Sequence, residues 1–280
     1  MNLVLQGAAD PEPHLSGLAE LYPGGEWRRL DATAWRLDGV SRHPALPEFC
    51  ASRRLDWAYV PPQRRLSDFG LVAFDMDSTL IATETLNDLA ELAGVGEEVS
   101  RLTALSMAGQ VDFAASFQRR VALLAGLGES ALEQVYQERV RLSPGAKTLL
   151  AELKERGIKT LLATGGFDYF AHRLQAELGL DFVACNTLEI RQGKLTGRLA
   201  GPLLDASGKA GALAQTCRKL GLSVSQSAAV GDGANDLEML QAAGVGIAFR
   251  AREALKKHAA HALDHAGLDG VLPLLGITGS

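Results

Sequence analysis

The residues best suited to chemistry are two aspartates, Asp75 and Asp77, at the end of an apolar run. Residues 71–79 read Leu-Val-Ala-Phe-Asp-Met-Asp-Ser-Thr, a pattern that predicts a buried strand opening into a polar loop. Side chains alternate between the two faces of a strand, but in the loop beyond it both carboxylates can turn toward one point. That point lies past the carboxyl end of the strand, where α/β proteins bind ligands.

A second segment repeats this design. Residues 228–236 read Ala-Ala-Val-Gly-Asp-Gly-Ala-Asn-Asp, so Asp232 and Asp236 lie in a glycine-rich loop after another apolar run. If the two loops lie side by side, about four carboxylates converge, and their repulsion is unfavourable unless a divalent cation binds among them. We therefore predict a Mg²⁺ site in which Asp75, Asp77 and Asp232 are ligands and Asp236 supports them from behind.

An aspartate beside such a cation is suited to phosphoryl transfer through a covalent intermediate. Asp75 would attack phosphorus and form an aspartyl-phosphate, while the cation offsets the charge of the incoming phosphate. Asp77 would protonate the departing oxygen and then take a proton from the water that hydrolyses the intermediate. For this role Asp77 must start protonated, so we expect its pKa to lie above the ordinary value of about 3.9.

Phosphate also requires hydrogen-bond donors and a positive charge. Thr164 follows an apolar run, and Gly165 after it can expose a backbone N–H at a helix start, so the two form a candidate phosphate cradle. Lys209 is predicted to lie just before a helix over 210–220, from which its ammonium can reach the same phosphate. Asn235, in the second acidic loop, adds a polar donor.

The elements that must carry these residues alternate between strand and helix. From residue 71 onward, the pattern predicts strands over 71–75, 159–164, 228–231 and 245–248. This alternation is typical of an α/β fold with a doubly wound parallel sheet. The stretch 85–142 is rich in Leu, Ala, Glu and Arg at helical spacing, so we expect an inserted helical cap that covers the pocket as a lid.

The first 69 residues differ from the rest, since they hold all the tryptophans and most of the prolines. They are predicted to form a small αβ module, with strands at 3–5, 27–37 and 57–60, helices at 14–21 and 46–54, and a linker at 61–68. The expected domains are this module (1–69), a core (70–86 and 143–280) and the cap (87–142).

Composition argues against several classes of protein. The 280 residues carry a net charge of −5, which disfavours nucleic-acid binding because phosphate contacts need a clustered basic surface. The 3 cysteines lack Cys-x-x-Cys spacing, so neither a disulfide framework nor a zinc knuckle is expected, and a reducing cytoplasm fits. The first residues are unlike a signal peptide, and no run approaches the roughly 18 apolar residues of a membrane span.

The motifs, taken in this order, resemble those of the haloacid dehalogenase superfamily of phosphohydrolases with an aspartate nucleophile. The resemblance covers about residues 70–280, and it is closer to the phosphoserine phosphatases, because Glu84, Met107, Phe113 and Arg120 occur at the spacings of that family. It implies that Glu84 engages the substrate ammonium and Arg120 its carboxylate. It also implies that Met107 and Phe113 form an apolar wall.

The resemblance therefore implies Mg²⁺-dependent hydrolysis of O-phosphoserine to serine and phosphate, the last step of serine biosynthesis. A guanidinium can hold a carboxylate with two hydrogen bonds and a glutamate can pair with an ammonium, which suits a zwitterionic substrate. Many family members carry Ser in place of Thr164, and threonine keeps the hydroxyl.

Two alternatives stay open at this point. One is a phosphatase or phosphotransferase that acts on another small phosphomonoester. The other is an amino-acid-sensing regulatory module, suggested by residues 1–69. For that module itself, a homodimer contact, serine feedback and simple stabilisation are all open.

Overall fold

The computed structural model describes residues 1–107 and 110–276, except for the side chain of Met107. The prediction that Met107 forms part of an apolar wall therefore lies outside the described side chains. Within these ranges the chain comprises an N-terminal αβ module, an α/β core and a helical cap. No helix in the described part is long and apolar enough to cross a membrane.

The N-terminal module is an antiparallel sheet with one short α-helix. Its elements are β1 (Asn2–Gln6), β2 (Trp27–Arg29), β3 (Ala34–Leu37), α1 (Leu46–Ala51) and β4 (Asp56–Val60), and the strand order is β2-β3-β1-β4. The prediction of one strand over 27–37 is wrong: the segment is a hairpin, in which Oδ1 of Asp31 accepts the N–H of Thr33 (2.6 Å) and supports a turn. The predicted helix at 14–21 is a 3₁₀-helix at Glu12–Leu18.

The module packs directly against the core through β4. The carboxylate of Asp56 accepts hydrogen bonds from the backbone N–H groups of Asp264, His265 and Ala266, at 2.8, 2.9 and 2.8 Å. Val60 of the same strand belongs to the main apolar core. Module and core therefore share both hydrogen bonds and packed side chains.

The strands that follow build the core. They are β5 (Leu71–Phe74), β6 (Lys159–Phe167), β7 (Phe182–Asn186), β8 (Leu188–Arg191), β9 (Lys194–Leu199), β10 (Ser227–Gly231), β11 (Val245–Phe249) and β12 (His261–Leu263). All but β8 and β9 form one parallel sheet in the order β12-β11-β10-β5-β6-β7, while β8 and β9 pair as a hairpin. The sequence predicted the central strands and missed β7 and β12, which lie at the sheet edges and are only partly buried.

Helices cover both faces of this sheet. After the module they are α2 (Thr85–Leu92), α3 (Gly96–Met107), α4 (Phe113–Ala122), α5 (Ser130–Glu138), α6 (Ala146–Glu155), α7 (Asp168–Leu178), α8 (Ala206–Leu220), α9 (Leu237–Ala242), α10 (Glu253–Lys256) and α11 (Val271–Leu274). Val72 and Phe74 of β5 belong to the apolar cluster that includes α6 and α7, whereas Leu71 and Ala73 cluster with α8 and α9. This alternation confirms the doubly wound α/β arrangement.

Helices α2–α5 form the cap between β5 and α6. Helix α2 packs against α3 and α5, and α3 packs against α4. The hairpin β8–β9 also packs on α4, and a backbone bridge joins Gly128 to Lys194. The cap helices therefore rest on a hairpin that belongs to the predicted core range 143–280.

Candidate active site

The first acidic loop follows β5 at the centre of the sheet. Asp75 is buried directly after the strand, and its carbonyl accepts the N–H of Leu80 (3.3 Å) in a wide turn. Within this turn Ser78 has a left-handed backbone (φ 55°). The turn places Oδ2 of Asp77 beside Gly166, near the end of β6.

The second acidic loop follows the neighbouring strand β10. Asp236 is buried, and its Oδ2 accepts the backbone N–H groups of Asp232 (3.2 Å) and Gly233 (3.0 Å), so its side chain organises the loop. A Cβ on Gly231 would lie 2.5 Å from Cγ of Asp236, so this position requires glycine. Asn235 is half-buried in the same loop.

The two loops meet, as predicted from their similar design. Carboxylate oxygens of Asp75, Asp232 and Asp236 all lie within 4.8 Å of one another. Burial, followed by repulsion from Asp75 and Asp236, raises the pKa of Asp232 to about 8. Burial and the Asp236 charge likewise raise the pKa of Asp75 to about 7. Carboxylate oxygens crowded in this way suit a hard divalent cation, because it would relieve the repulsion that raises both pKa values.

The ammonium of Lys209 supplies part of the balancing positive charge. Its side chain is fully buried and donates hydrogen bonds to Oδ1 of Asp75 (2.8 Å) and Oδ1 of Asp236 (2.7 Å). Burial lowers the pKa of Lys209, but the two carboxylates outweigh burial and hold that pKa above its ordinary value. The helix that carries Lys209 starts earlier than predicted, at residue 206, because Asp205 caps it by accepting the N–H of Gly208 (2.9 Å).

Asp77 has a different environment from the three clustered carboxylates. Its carboxylate accepts hydrogen bonds from the backbone N–H (3.0 Å) and Oγ1 (3.3 Å) of Thr85. Burial, with added repulsion from Glu84, raises its pKa well above the ordinary value, which is the direction that an initial proton donor needs. Among described residues the acidic cluster contains Asp236 and not the Asp77 side chain, which Thr85 holds apart.

The candidate phosphate loop lies at the end of β6. Thr164 is buried, and its Oγ1 accepts the N–H of Gly166 (2.8 Å), which leaves the hydroxyl proton free for another acceptor. A Cβ on Gly166 would lie 2.5 Å from Cε of Met76 and 3.0 Å from Oδ2 of Asp77. The loop is therefore packed directly against the first acidic loop, and the sequence-predicted Gly165 lies within it.

Residues of the cap contribute groups of opposite charge. Glu84 is exposed at the start of α2 and belongs to the electrostatic surroundings of both Asp77 and Arg120. Arg120 is half-buried on α4, donates a long hydrogen bond to Oγ1 of Thr103 (3.4 Å), and has a buried Nε with no partner among described residues. Burial lowers the pKa of Arg120, and Glu84 opposes that change. Phe113 is partly buried and stacks on a neighbouring aromatic ring.

Two hydroxyl groups of the site were not predicted from the sequence. Oγ of Ser78 donates to Oε1 of Glu84 (2.6 Å), and Oγ1 of Thr79 donates to Oδ1 of Asp232 (3.0 Å). Their position in the sequence could have indicated a role in the site, because both directly follow the first acidic motif. The second of these bonds joins the two acidic loops.

Comparison with known proteins agrees with this arrangement. The sequence model of the haloacid dehalogenase-like hydrolase family matches residues 72–241. The chain belongs to this family. The match includes both acidic loops, the phosphate loop and the buried lysine of the haloacid dehalogenase-like hydrolase core. A separate family, described as a domain of unknown function, matches residues 3–46.

Individual relatives match a larger part of the chain than the family model does. A phosphoserine phosphatase of Albidiferax ferrireducens is 44% identical over 218 residues, which cover 76% of this chain and 92% of that protein. A phosphoserine phosphatase of Archaeoglobus fulgidus is 47% identical over 205 residues, but the match spans only 59% of its length. The crystal structure of a probable phosphoserine phosphatase from Vibrio cholerae superimposes with a TM-score of 0.86 at 33% identity, covering 99% of this chain and 86% of that one.

Proposed function

We propose that this chain hydrolyses O-phosphoserine to serine and inorganic phosphate with Mg²⁺ as its cofactor. The observation that carries the substrate assignment is Arg120, a half-buried guanidinium that forms no ion pair among described residues. A buried guanidinium that pairs with no carboxylate is energetically unfavourable unless an anionic ligand pairs with it. The carboxylate of phosphoserine is such a ligand, and the similarity of this chain to phosphoserine phosphatases supports the choice.

Glu84 would bind the other charge of the substrate. Ser78 fixes one carboxylate oxygen of Glu84 and leaves the other for the ammonium group. Glu84 and Arg120 would then recognise the zwitterionic end together, with Met107, Phe113 and Asn235 as further substrate contacts. Phosphoethanolamine and simple phosphate esters lack one or both of these charges.

The phosphate end would lie over the acidic loops. Thr164 has a hydroxyl proton to donate, and Gly165 would offer its backbone N–H. Lys209 would bring positive charge close to the oxygens of the phosphate. Mg²⁺ would be held by the carboxylates of Asp75 and Asp232, with Asp236 behind them, and by Asp77 through its backbone carbonyl, because the Asp77 carboxyl group contacts Thr85 and is needed as the acid. The cation would offset the negative charge of the phosphate and the aspartates.

The reaction would proceed in two displacements. Asp75 attacks phosphorus, the bond between phosphorus and the serine oxygen breaks, and Asp77 gives its proton to that oxygen. Water then attacks the aspartyl-phosphate, Asp77 recovers a proton from this water, and Asp75 is released with inorganic phosphate. The raised pKa of Asp77 supports its starting role as an acid. The step would complete serine biosynthesis in the cytoplasm.

A phosphate-release assay over a panel of small phosphomonoesters tests this proposal, with Mg²⁺ or with EDTA. We expect phosphoserine to give the highest kcat/KM, with turnover lost in EDTA and in the Asp75→Asn variant. Beryllium fluoride should form an adduct at Asp75. Fluorine NMR should detect this adduct in the unmodified protein and not in the Asp75→Asn variant. Equal turnover of phosphoserine and phosphoethanolamine would contradict the assignment of phosphoserine as the substrate. An adduct that depends on Asp77 would make Asp77 the nucleophile and Asp75 the acid.

A further inference from the structure

Asn186, the last residue of β7, lies between two loops of the site. It is 2% exposed, its Nδ2 donates to the carbonyl of Gly165 (2.8 Å), and its Oδ1 accepts the backbone N–H of Leu204 (2.7 Å). Gly165 belongs to the phosphate loop. Leu204 directly precedes Asp205, the cap of the helix that carries Lys209. One side chain thus joins the backbones of both phosphate-facing segments.

The phosphate loop needs such a partner because it leaves the sheet at this point. Ala163 pairs with Ala184, and the next pair is Phe167 with Asn186, so β6 advances four residues while β7 advances two. The extra residues bulge out of the ladder and lose its regular hydrogen bonds. The side-chain amide of Asn186 supplies a donor for the carbonyl of Gly165 where the ladder is interrupted.

The chemistry of the two bonds requires an amide side chain. One partner is a carbonyl, which needs a donor, and the other is an N–H, which needs an acceptor. An asparagine provides both from one planar group, whereas an ionised aspartate provides only the acceptor and a leucine provides neither. The requirement explains why an asparagine is buried at the end of an apolar strand.

We propose that Asn186 is a positioning residue for phosphoryl transfer. It sets the distance between the phosphate loop and the start of α8, and so places Thr164 and Gly165 relative to Lys209. The inference rests on the proposed function, because it concerns the geometry of the same phosphate site. Asn186 acts through the backbones of Gly165 and Leu204, and we assign it no contact with the substrate.

Two substitutions separate the two hydrogen bonds. Asn186→Asp keeps the acceptor for Leu204 and places a carboxylate against the carbonyl of Gly165, which should push the phosphate loop away. Asn186→Leu removes both bonds at similar volume. Because a displacement of about 1 Å costs on the order of 100-fold in rate, we expect kcat to fall about 10- to 100-fold in both variants. Inhibition by inorganic phosphate should weaken in both by a similar factor.

Hydrogen exchange provides a readout that does not depend on turnover. The Leu204 amide should stay protected in Asn186→Asp and exchange faster in Asn186→Leu, because only the second variant removes its acceptor. Thr160→Val is the control, since it removes two hydrogen bonds with Asp181 at the opposite end of β6. This control should lower the melting temperature without changing phosphate inhibition.

The outcomes distinguish the two proposals. If the unmodified protein does not turn over phosphoserine, the proposed function fails, while exchange of the Leu204 amide still tests its hydrogen bond to Asn186. If it does turn over phosphoserine and folded Asn186→Asp retains normal kcat and phosphate inhibition, the positioning role is overturned. The aspartate variant decides the question even if the leucine variant does not fold.

Discussion

The Nζ atom of Lys209 lies 2.8 Å from Oδ1 of Asp75, although 134 residues separate them in the chain. The same ammonium lies 2.7 Å from Oδ1 of Asp236, so one buried cation joins the two acidic loops. A charge in such a place is favourable only with its partners present. Lys209 therefore stabilises the site and presents positive charge where phosphate is expected.

Replacing Lys209 by alanine should affect both activity and stability. Loss of a preorganised donor to developing negative charge costs about 3 to 4 kcal/mol, so kcat should fall about 100- to 1000-fold. The two buried carboxylates left behind should lower the free energy of unfolding by about 3 to 5 kcal/mol. Steady-state kinetics and urea unfolding measure the two effects.

The matched control is Lys159→Ala. Lys159 also pairs with an aspartate, Asp181, but its side chain is 49% exposed. A pair of this kind contributes about 0 to 1 kcal/mol, so this variant should keep near-normal stability and turnover. Equal effects of the two alanine variants would contradict the special role of the buried lysine.

Arg120→Ala should remove the preference for phosphoserine. Truncating one partner of a buried charge pair costs about 2 to 5 kcal/mol, so kcat/KM for phosphoserine should fall about 30- to 5000-fold. Turnover of phosphoethanolamine, which has no carboxylate, should change little. The neighbouring Arg119 is exposed, and Arg119→Ala should leave both substrates unaffected. A uniform loss on both substrates would place Arg120 outside the carboxylate site.

Gly166→Ala should distort the site through a steric clash. Its added methyl would lie 2.5 Å from Met76 and 3.0 Å from Oδ2 of Asp77, distances at which the acid must move. We expect kcat to fall by about 100-fold, because misplacement of a reacting group by about 1 Å has that effect. In Gly211→Ala the methyl meets no atom within 4 Å, so that variant should behave as the unmodified protein. If Gly166→Ala retained its kcat, the backbone of the phosphate loop would have to shift to accommodate the methyl group without moving Asp77.

The stability of the metal-free protein should fall as pH rises. Folding raises the pKa of Asp75 from 3.8 to about 7 and that of Asp232 from 3.8 to about 8. Between about pH 4 and pH 8 the folded state therefore binds more protons than the unfolded state, so stability is greatest below this window and is lost through it. In EDTA, the melting temperature should thus decrease over this range.

Mg²⁺ should oppose that decrease. Because the cation binds the ionised carboxylates of the folded state, its stabilising effect should be larger at pH 8 than at pH 5. Asp232→Asn removes one of the shifted groups and should flatten the pH dependence in EDTA. An unchanged pH dependence in this variant would show that the acidic cluster is not its source.

The sequence by itself determined the central architecture and most of the candidate site. Apolar runs such as 71–74 are buried on both sides, and such runs are recognisable because a central parallel strand tolerates few polar side chains. The acidic loops were recognisable for a related reason. Carboxylates that follow a buried strand must lie at its carboxyl edge, so their neighbourhood follows from local pattern and chain topology.

Only the tertiary structure decided which side chains touch. Asp236 joins the acidic cluster while Thr85 holds the Asp77 carboxylate apart, and no local pattern distinguishes the two aspartates. Lys209 meets Asp75 through contacts between distant segments, and Asn186 has partners 21 and 18 residues away. Such contacts depend on how strands and helices pack, because hydrogen bonds act over about 3 Å and spacing along the chain does not set distances across a fold.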